Sequence, residues 1–232
     1  CLVLLIGVEL LRALRYAAQN RILRKKIYLD ESTGLPNKNK CEEILSDPTP
    51  LGEEESTAIC VFDLNNLRII NNNLGHDKGD EYIRSFAEQL RLAVDPENFV
   101  GRDGGDEFIA IFQKTDHSKM RETLKKIRTQ MENYSAKHPE MPISYAAGYA
   151  ISLDFAGSTL RELFRLADKN MYVDKNRAKI EEAAQKQQKA YELLEWIKKE
   201  KYHFSDCLYC DALMDQYAIL RYKHRILSRG RR

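Results

Sequence analysis

Hydrophobic and polar positions fall into distinct blocks along the 232-residue chain. Residues 2–26 interleave Leu and Ala with Arg and Lys, without Gly or Pro after Gly7, and predict one long helix. Thr33, Gly34 and Pro36 break that pattern, and residues 38–46 predict a short helix. A loop with Asp47, Pro48, Pro50 and Gly52 leads to the apolar run 57–62, which predicts a buried central strand ending at Asp63. Helices are expected at 65–74 and 78–94, and in the second Tyr82, Phe86 and Leu90 recur every four residues on one face. Residues 98–102 and 107–112 are apolar segments on either side of Gly104-Gly105, the pattern of a β-hairpin. Met120, Leu124, Ile127, Met131 and Tyr134 mark a further helix stopped by Pro139. Residues 143–152 predict a strand, and Leu160, Leu163, Phe164, Ala167 and Met171 predict another helix.

Helix, strand, two helices, hairpin, helix, strand, helix is the order of an α/β chain of the α+β sandwich kind, with a mainly antiparallel central sheet flanked by helices. Beyond Lys179 the composition turns to Glu, Lys and Gln, with Tyr191, Leu194 and Ile197 at spacing three. Ser205 or Asp206 is placed to cap a last helix carrying Tyr209, Leu213, Tyr217 and Leu220. Three parts are therefore expected: a membrane-proximal or signalling helix over 1–27, a main domain over 28–179, and a C-terminal helical hairpin over 180–232.

Composition changes this picture little. Hydrophobic residues make up 43% and charged residues 31%, enough for a real core. A net charge of +2 gives no basis for nucleic acid as a partner. Basic residues gather at the two ends: Arg12, Arg15, Arg21, Arg24, Lys25 and Lys26 at the start, and a solvated tail after Lys223 at the finish. Cysteines at 1, 41, 60, 207 and 210 are scattered as in a reducing compartment, and Cys60 reads as a buried core residue. Cys207-x-x-Cys210, with His203 and His224 nearby, is half of a zinc pattern, and a packed helix is preferred over a metal site. The chain begins at Cys1 and reads as a fragment. Its apolar residues 2–8 fall short of the roughly 20 needed to span a bilayer. With basic residues directly after, they read as the end of a transmembrane helix, which puts the domain on the cytoplasmic side of a membrane. An amphipathic helix packing on a neighbouring chain is the other reading.

The candidate chemistry begins with carboxylates. Asp63 ends the buried strand, and Asp106 and Glu107 lie at the hairpin turn, so pairing of hairpin and strand brings three acids to one sheet edge. Clustered carboxylates suit Mg²⁺ (or Mn²⁺), a hard cation that completes its shell with phosphate oxygens. Two such ions can bridge an attacking oxygen and a triphosphate leaving group. Gly104 and Gly105 let backbone approach a ligand closely. Alone, a Gly-Gly-Asp-Glu tetrapeptide is most simply a surface turn. A second cluster, Asn71, Gly75, His76, Gly79 and Asp80, changes the weighing. A carboxylate accepts from the N1 and N2 hydrogens of guanine, and an amide pairs with its O6 or N3 region.

Four segments carry a resemblance to a known family. Asp63 to Asp80, with Asn71, Gly75-His76 and Gly79-Asp80, resembles the Asp-x-Asp-x-Phe-Lys and Asn-Asp-x-x-Gly-His-x-x-Gly-Asp pattern of GGDEF-domain diguanylate cyclases. Arg102-Asp-Gly-Gly-Asp-Glu-Phe108 is the family's naming motif in full. Residues 30–37 resemble its opening Asp-x-Leu-Thr-Gly-Leu-x-Asn, and Ala167-Asp168 to Lys175 its closing Ala-Asp-x-x-Met-Tyr-x-x-Lys. The resemblance implies a palm-like nucleotide-cyclase fold and the condensation of two GTP into cyclic di-GMP by a homodimer, each copy holding one GTP. By position, Asp63, Asp106, Glu107 and the carbonyl of Leu64 would serve the Mg²⁺ site, with Asp106 also the candidate for deprotonating the 3′-hydroxyl. Asn71 and Asp80 would hold guanine. Lys175, Lys179, Arg68 and the backbone amides of Asn66 and Leu67 would contact phosphates, beside Gly104 and Gly105.

The chain departs from the pattern at Asn65, Leu67, Arg68, Asn72 and Lys179, where the family has Asp, Phe, Lys, Asp and Arg. The family's product-inhibitory Arg-x-x-Asp falls in register on Asp95 and Asn98, with Arg91 out of register, so no feedback through that site is expected. His76 reads as support for its loop. An alternative function is a GTP-binding or dimerisation module without turnover, attached like the cyclase to an upstream sensor or membrane segment.

Overall fold

The computed structural model describes residues 12, 15, 16, 27–52 and 56–199. Residues 2–8, the Cys207-x-x-Cys210 segment and the last expected helix lie outside them. Among the described residues no helix is long and apolar enough to cross a membrane.

Helix α1 (Lys38–Leu45) starts where the Asn37 side chain accepts a hydrogen bond from the Lys40 amide, and it buries Cys41 and Leu45. Strand β1 (Thr57–Leu64) is buried along its whole length. Two helices follow, α2 (Leu67–Leu74) and α3 (His76–Ala93), joined at Gly75 with φ 89°. Strands β2 (Phe99–Arg102) and β3 (Glu107–Gln113) form the hairpin. Helix α4 (His117–Lys137) is capped by the Asp116 side chain on the Lys119 amide and ends before Pro139. Strand β4 (Tyr145–Ile151) and a short 3-10 turn precede α5 (Leu160–Lys199).

The sheet runs β2-β3-β1-β4 with every pair antiparallel. Alternation along β1 decides the layers. Ala58, Cys60, Phe62 and Leu64 face α3 and α4, packing against Tyr82, Phe86, Leu90, Met120 and Ile127. Ile59 and Val61 face Cys41 and Leu45 of α1 and Leu163, Ala167 and Met171 of α5. An aromatic group under the site end of the sheet, Phe62, Phe86, Phe108 and Tyr145, packs with ring centroids 4.9 to 6.1 Å apart in tilted and edge-on geometry.

β1 runs one residue past Asp63, because the Leu64 N–H donates to the Asp106 carbonyl at 2.9 Å and Leu64 pairs with Tyr145. The largest difference from the sequence reading is in α5. Residues 180–199 continue the helix that begins at Leu160 instead of opening a separate one, since no Gly or Pro interrupts 160–199. The chain divides into two compact units, residues 1–175 and 176–232. In the second, the described surface of α5 carries Arg177–Glu181 and Gln188–Glu192 side-chain pairs at 2.9 Å.

Candidate active site

The register of β1 against β3 places Asp63 directly opposite Glu107 at one end of the sheet. Asp106 precedes Glu107 in the turn and is tied to β1 by the Leu64 N–H. Asp63 is only 7% exposed at its side chain, and Lys175 of α5 donates to both of its oxygens, at 2.6 and 2.7 Å. A buried carboxylate needs such a counter-charge. Among the described residues Glu107 has none, and partial burial together with the charges of Asp106, Asp63, Asp103 and Asp168 lifts its carboxyl above the usual carboxylate range. The acids are thus gathered closely enough to repel one another.

Arg102 shapes the turn they stand on. Its guanidinium donates to the carbonyls of Gly104 and Gly105 at 3.1 and 2.8 Å, and to both Asp30 oxygens at 3.0 and 3.2 Å. Asp30 in turn accepts from the amide and hydroxyl of Thr33. Burial works against ionisation of Asp30, but the bonds from Thr33 and Arg102 outweigh it and hold its carboxyl below the usual range. The opening segment and the Gly-Gly turn are therefore clamped by one planar fork. Sequence reasoning quoted Arg102 and Asp30 within motifs without giving either a role; their pairing across 72 positions leaves no local pattern.

The second cluster forms between α2 and α3. Gly79 is buried, and a Cβ there would lie 1.8 Å from Asn71 Oδ1, so only glycine admits the Asn71 side chain in this position. Asn71 Oδ1 is buried and has no hydrogen-bond partner. Asp80 is exposed on the next position of α3. Asn66, Leu67 and Arg68 stand at the start of α2, two to four residues beyond Leu64, where first-turn N–H groups lack intrahelical partners. Asn66 itself has φ 65°. Lys179 is exposed and belongs to the second unit.

The donor chemistry around Asp63, the Leu64 carbonyl, Asp106 and Glu107 is all oxygen and fits a hard divalent cation in kind. Among the described residues no three His, Cys, Asp or Glu side chains close into a metal cage.

An antiparallel sheet of order β2-β3-β1-β4, helices on both faces and an acid-bearing Gly-Gly turn at one end define a palm-like nucleotide-cyclase domain. The chain belongs to the GGDEF family: the family description "Diguanylate cyclase, GGDEF domain" matches residues 27–181. Among curated relatives, the diguanylate cyclase DgcP of Pseudomonas aeruginosa is 26% identical over 152 residues, covering 64% of this chain and 22% of that protein. The cyclic di-GMP phosphodiesterase PdeR of Escherichia coli is 25% identical over 159 residues, covering 68% of this chain and 24% of that protein. The chain thus spans under a quarter of the length of either relative. Among solved structures, the GGDEF domain of DgcB from Caulobacter crescentus, in complex with c-di-GMP, superposes with a TM-score of 0.56 at 25% identity. That match covers 64% of this chain and 90% of the DgcB domain.

Proposed function

We propose that this chain is a diguanylate cyclase, joining two GTP into cyclic di-GMP with release of two pyrophosphates. The observation that carries the reading is the cross-strand placement of Asp63 and Glu107 beside the Asp106 turn. Mg²⁺ or Mn²⁺ held by Asp63, Asp106, Glu107 and the Leu64 carbonyl would supply charge neutralisation at the phosphoryl groups.

The remaining work falls to the protein's own groups. Asn71 and Asp80 hold the guanine edge, the carboxylate accepting from the base's N–H groups. The amides of Asn66 and Leu67, Arg68 and the close backbone at Gly104 and Gly105 receive phosphate oxygens, with Lys175 and Lys179 adding positive charge. Asp106 takes the 3′-hydroxyl proton as that oxygen attacks the α-phosphate of the second GTP. Each copy binds one GTP, so two copies must face each other. Residues 1–27, which the sequence predicts to be helical, are the part suited to link the domain to a partner copy and to an upstream sensor or membrane segment.

A second reading is a domain that binds GTP or dimerises without turnover. It is favoured by Lys175 holding both oxygens of Asp63 and by the departures at Asn65, Leu67, Asn72 and Lys179.

Base choice tests the nucleotide assignment. Equilibrium binding is expected to favour GTP over ATP, and Gly79→Ala, which drives Asn71 from its place, is expected to weaken GTP binding about tenfold. Equal binding of GTP and ATP by the native chain would contradict the guanine site.

A further inference from the structure

Behind the acid cluster Asn65 meets two side chains, Tyr82 and Ser144, that none of the functional motifs accounts for. Tyr82, on α3 one turn beyond Gly79, is 1% exposed, yet its hydroxyl is engaged with backbone from two other segments. It accepts from the Ser144 N–H at 2.8 Å, and the carbonyls of Ser144 and Asn65 lie at 3.1 and 3.3 Å as acceptors for its single hydrogen. Asn65 is bound to Ser144 twice more, through its N–H to the Ser144 carbonyl at 2.9 Å and through Nδ2 to the Ser144 hydroxyl at 3.1 Å. The three residues close a ring of hydrogen bonds joining the end of β1, the start of β4 and the second turn of α3.

The next residue explains what the ring holds. Asn66 has φ 65°, a left-handed backbone that asparagine tolerates better than most non-glycine residues. That conformation turns the chain from β1 into α2 and so aims the amides of Asn66 and Leu67. Nothing in the hydrophobic core requires a hydroxyl at position 82, where phenylalanine would fill the same space. Burial lifts the Tyr82 hydroxyl above its ordinary range, so it stays a neutral donor.

Deepening the cyclase reading, and resting on it, we propose that Tyr82, Ser144 and Asn65 are positioning residues that hold the Asn66–Leu67 turn in the shape that receives the GTP triphosphate. Asn65 then has a specific purpose. Its amide donates to the Ser144 hydroxyl, where the carboxylate of the family pattern would instead accept from it.

The test uses the whole chain with Mg²⁺ and two probes: a GTP analogue with a methylene bridge between the α- and β-phosphates, and guanosine. Asn65→Ala and Ser144→Ala each remove a half-exposed side chain and leave the core intact, while Tyr82→Phe removes only the hydroxyl. Each variant is expected to bind the analogue about tenfold more weakly and guanosine as the native chain does. Ser144→Thr, which keeps the hydroxyl, is expected to restore analogue binding. The Asn65→Ala, Ser144→Ala double variant is expected to be no weaker than either alone. An equal fall for both probes would show a merely structural role and overturn the proposal, as would unchanged analogue binding. A native chain that binds neither probe would overturn the GTP-site reading itself, an outcome distinguishable because it needs no variant.

Discussion

Glu107 and Asp63 face each other across two strands in different surroundings. Asp63 has Lys175 on both oxygens; Glu107 is only partly buried and has four acidic neighbours. A carboxyl raised in the folded state binds more protons folded than unfolded. Its contribution to stability therefore falls as pH rises from the ordinary carboxylate range through the raised value, and the full cost is present at neutral pH. Glu107→Gln is accordingly expected to stabilise the chain near neutrality, by less than about 1 kcal/mol because the group is well exposed and screened. In acid, below the ordinary carboxylate range, the gain should vanish. Urea titrations at the two pH values check this, and an equal gain at both would show that charge repulsion is not its cause.

At the scale of elements, the placement of α5 on β4 is the contact with least tolerance. A Cβ on Gly148 would lie 2.0 Å from the Met171 backbone nitrogen and 2.4 Å from the Ala167 carbonyl. Gly148→Ala is expected to cost about 3 kcal/mol in urea unfolding, since backbone cannot yield as a side chain would. The same helix covers the open edge of β4: Asp174 accepts from the Ala147 N–H at 3.1 Å and Asn170 donates to the Tyr149 carbonyl at 2.9 Å. An exposed strand edge is thereby satisfied from within the chain. Much of this scale was legible beforehand. The apolar runs at 57–62 and 107–112 and the stripe Tyr82, Phe86, Leu90 mark β1, β3 and α3, because burial on a face writes itself as periodicity. Long-range polar pairs write no such pattern. Arg102 with Asp30, Lys175 with Asp63, and Tyr82 with Ser144 each depend on the finished topology, which is why local reading recovered the acids of the site but not what holds them. The unbroken run of α5 was open to a reading from the missing Gly and Pro, but the shift in composition after Lys179 suggested a boundary instead.

At the scale of the whole molecule, the proposed chemistry needs two copies, each presenting one loaded site. Control by product is not expected through the Arg-x-x-Asp position. Asp95 there accepts from Lys126 at 2.8 Å, and Asn98 stands where the family has its acid. Inhibition by cyclic di-GMP in steady-state assays, abolished by changing Arg91 or Asp95, would contradict that expectation. The most direct measurement of the central claim is chromatography of GTP and Mg²⁺ incubated with the chain at concentrations that favour dimers, with Asp106→Ala as control. The expected result is cyclic di-GMP from the native chain and none from Asp106→Ala, with GTP binding retained in the variant. GTP bound but unconverted by the native chain under those conditions would contradict the cyclase and leave a nucleotide-binding module in its place.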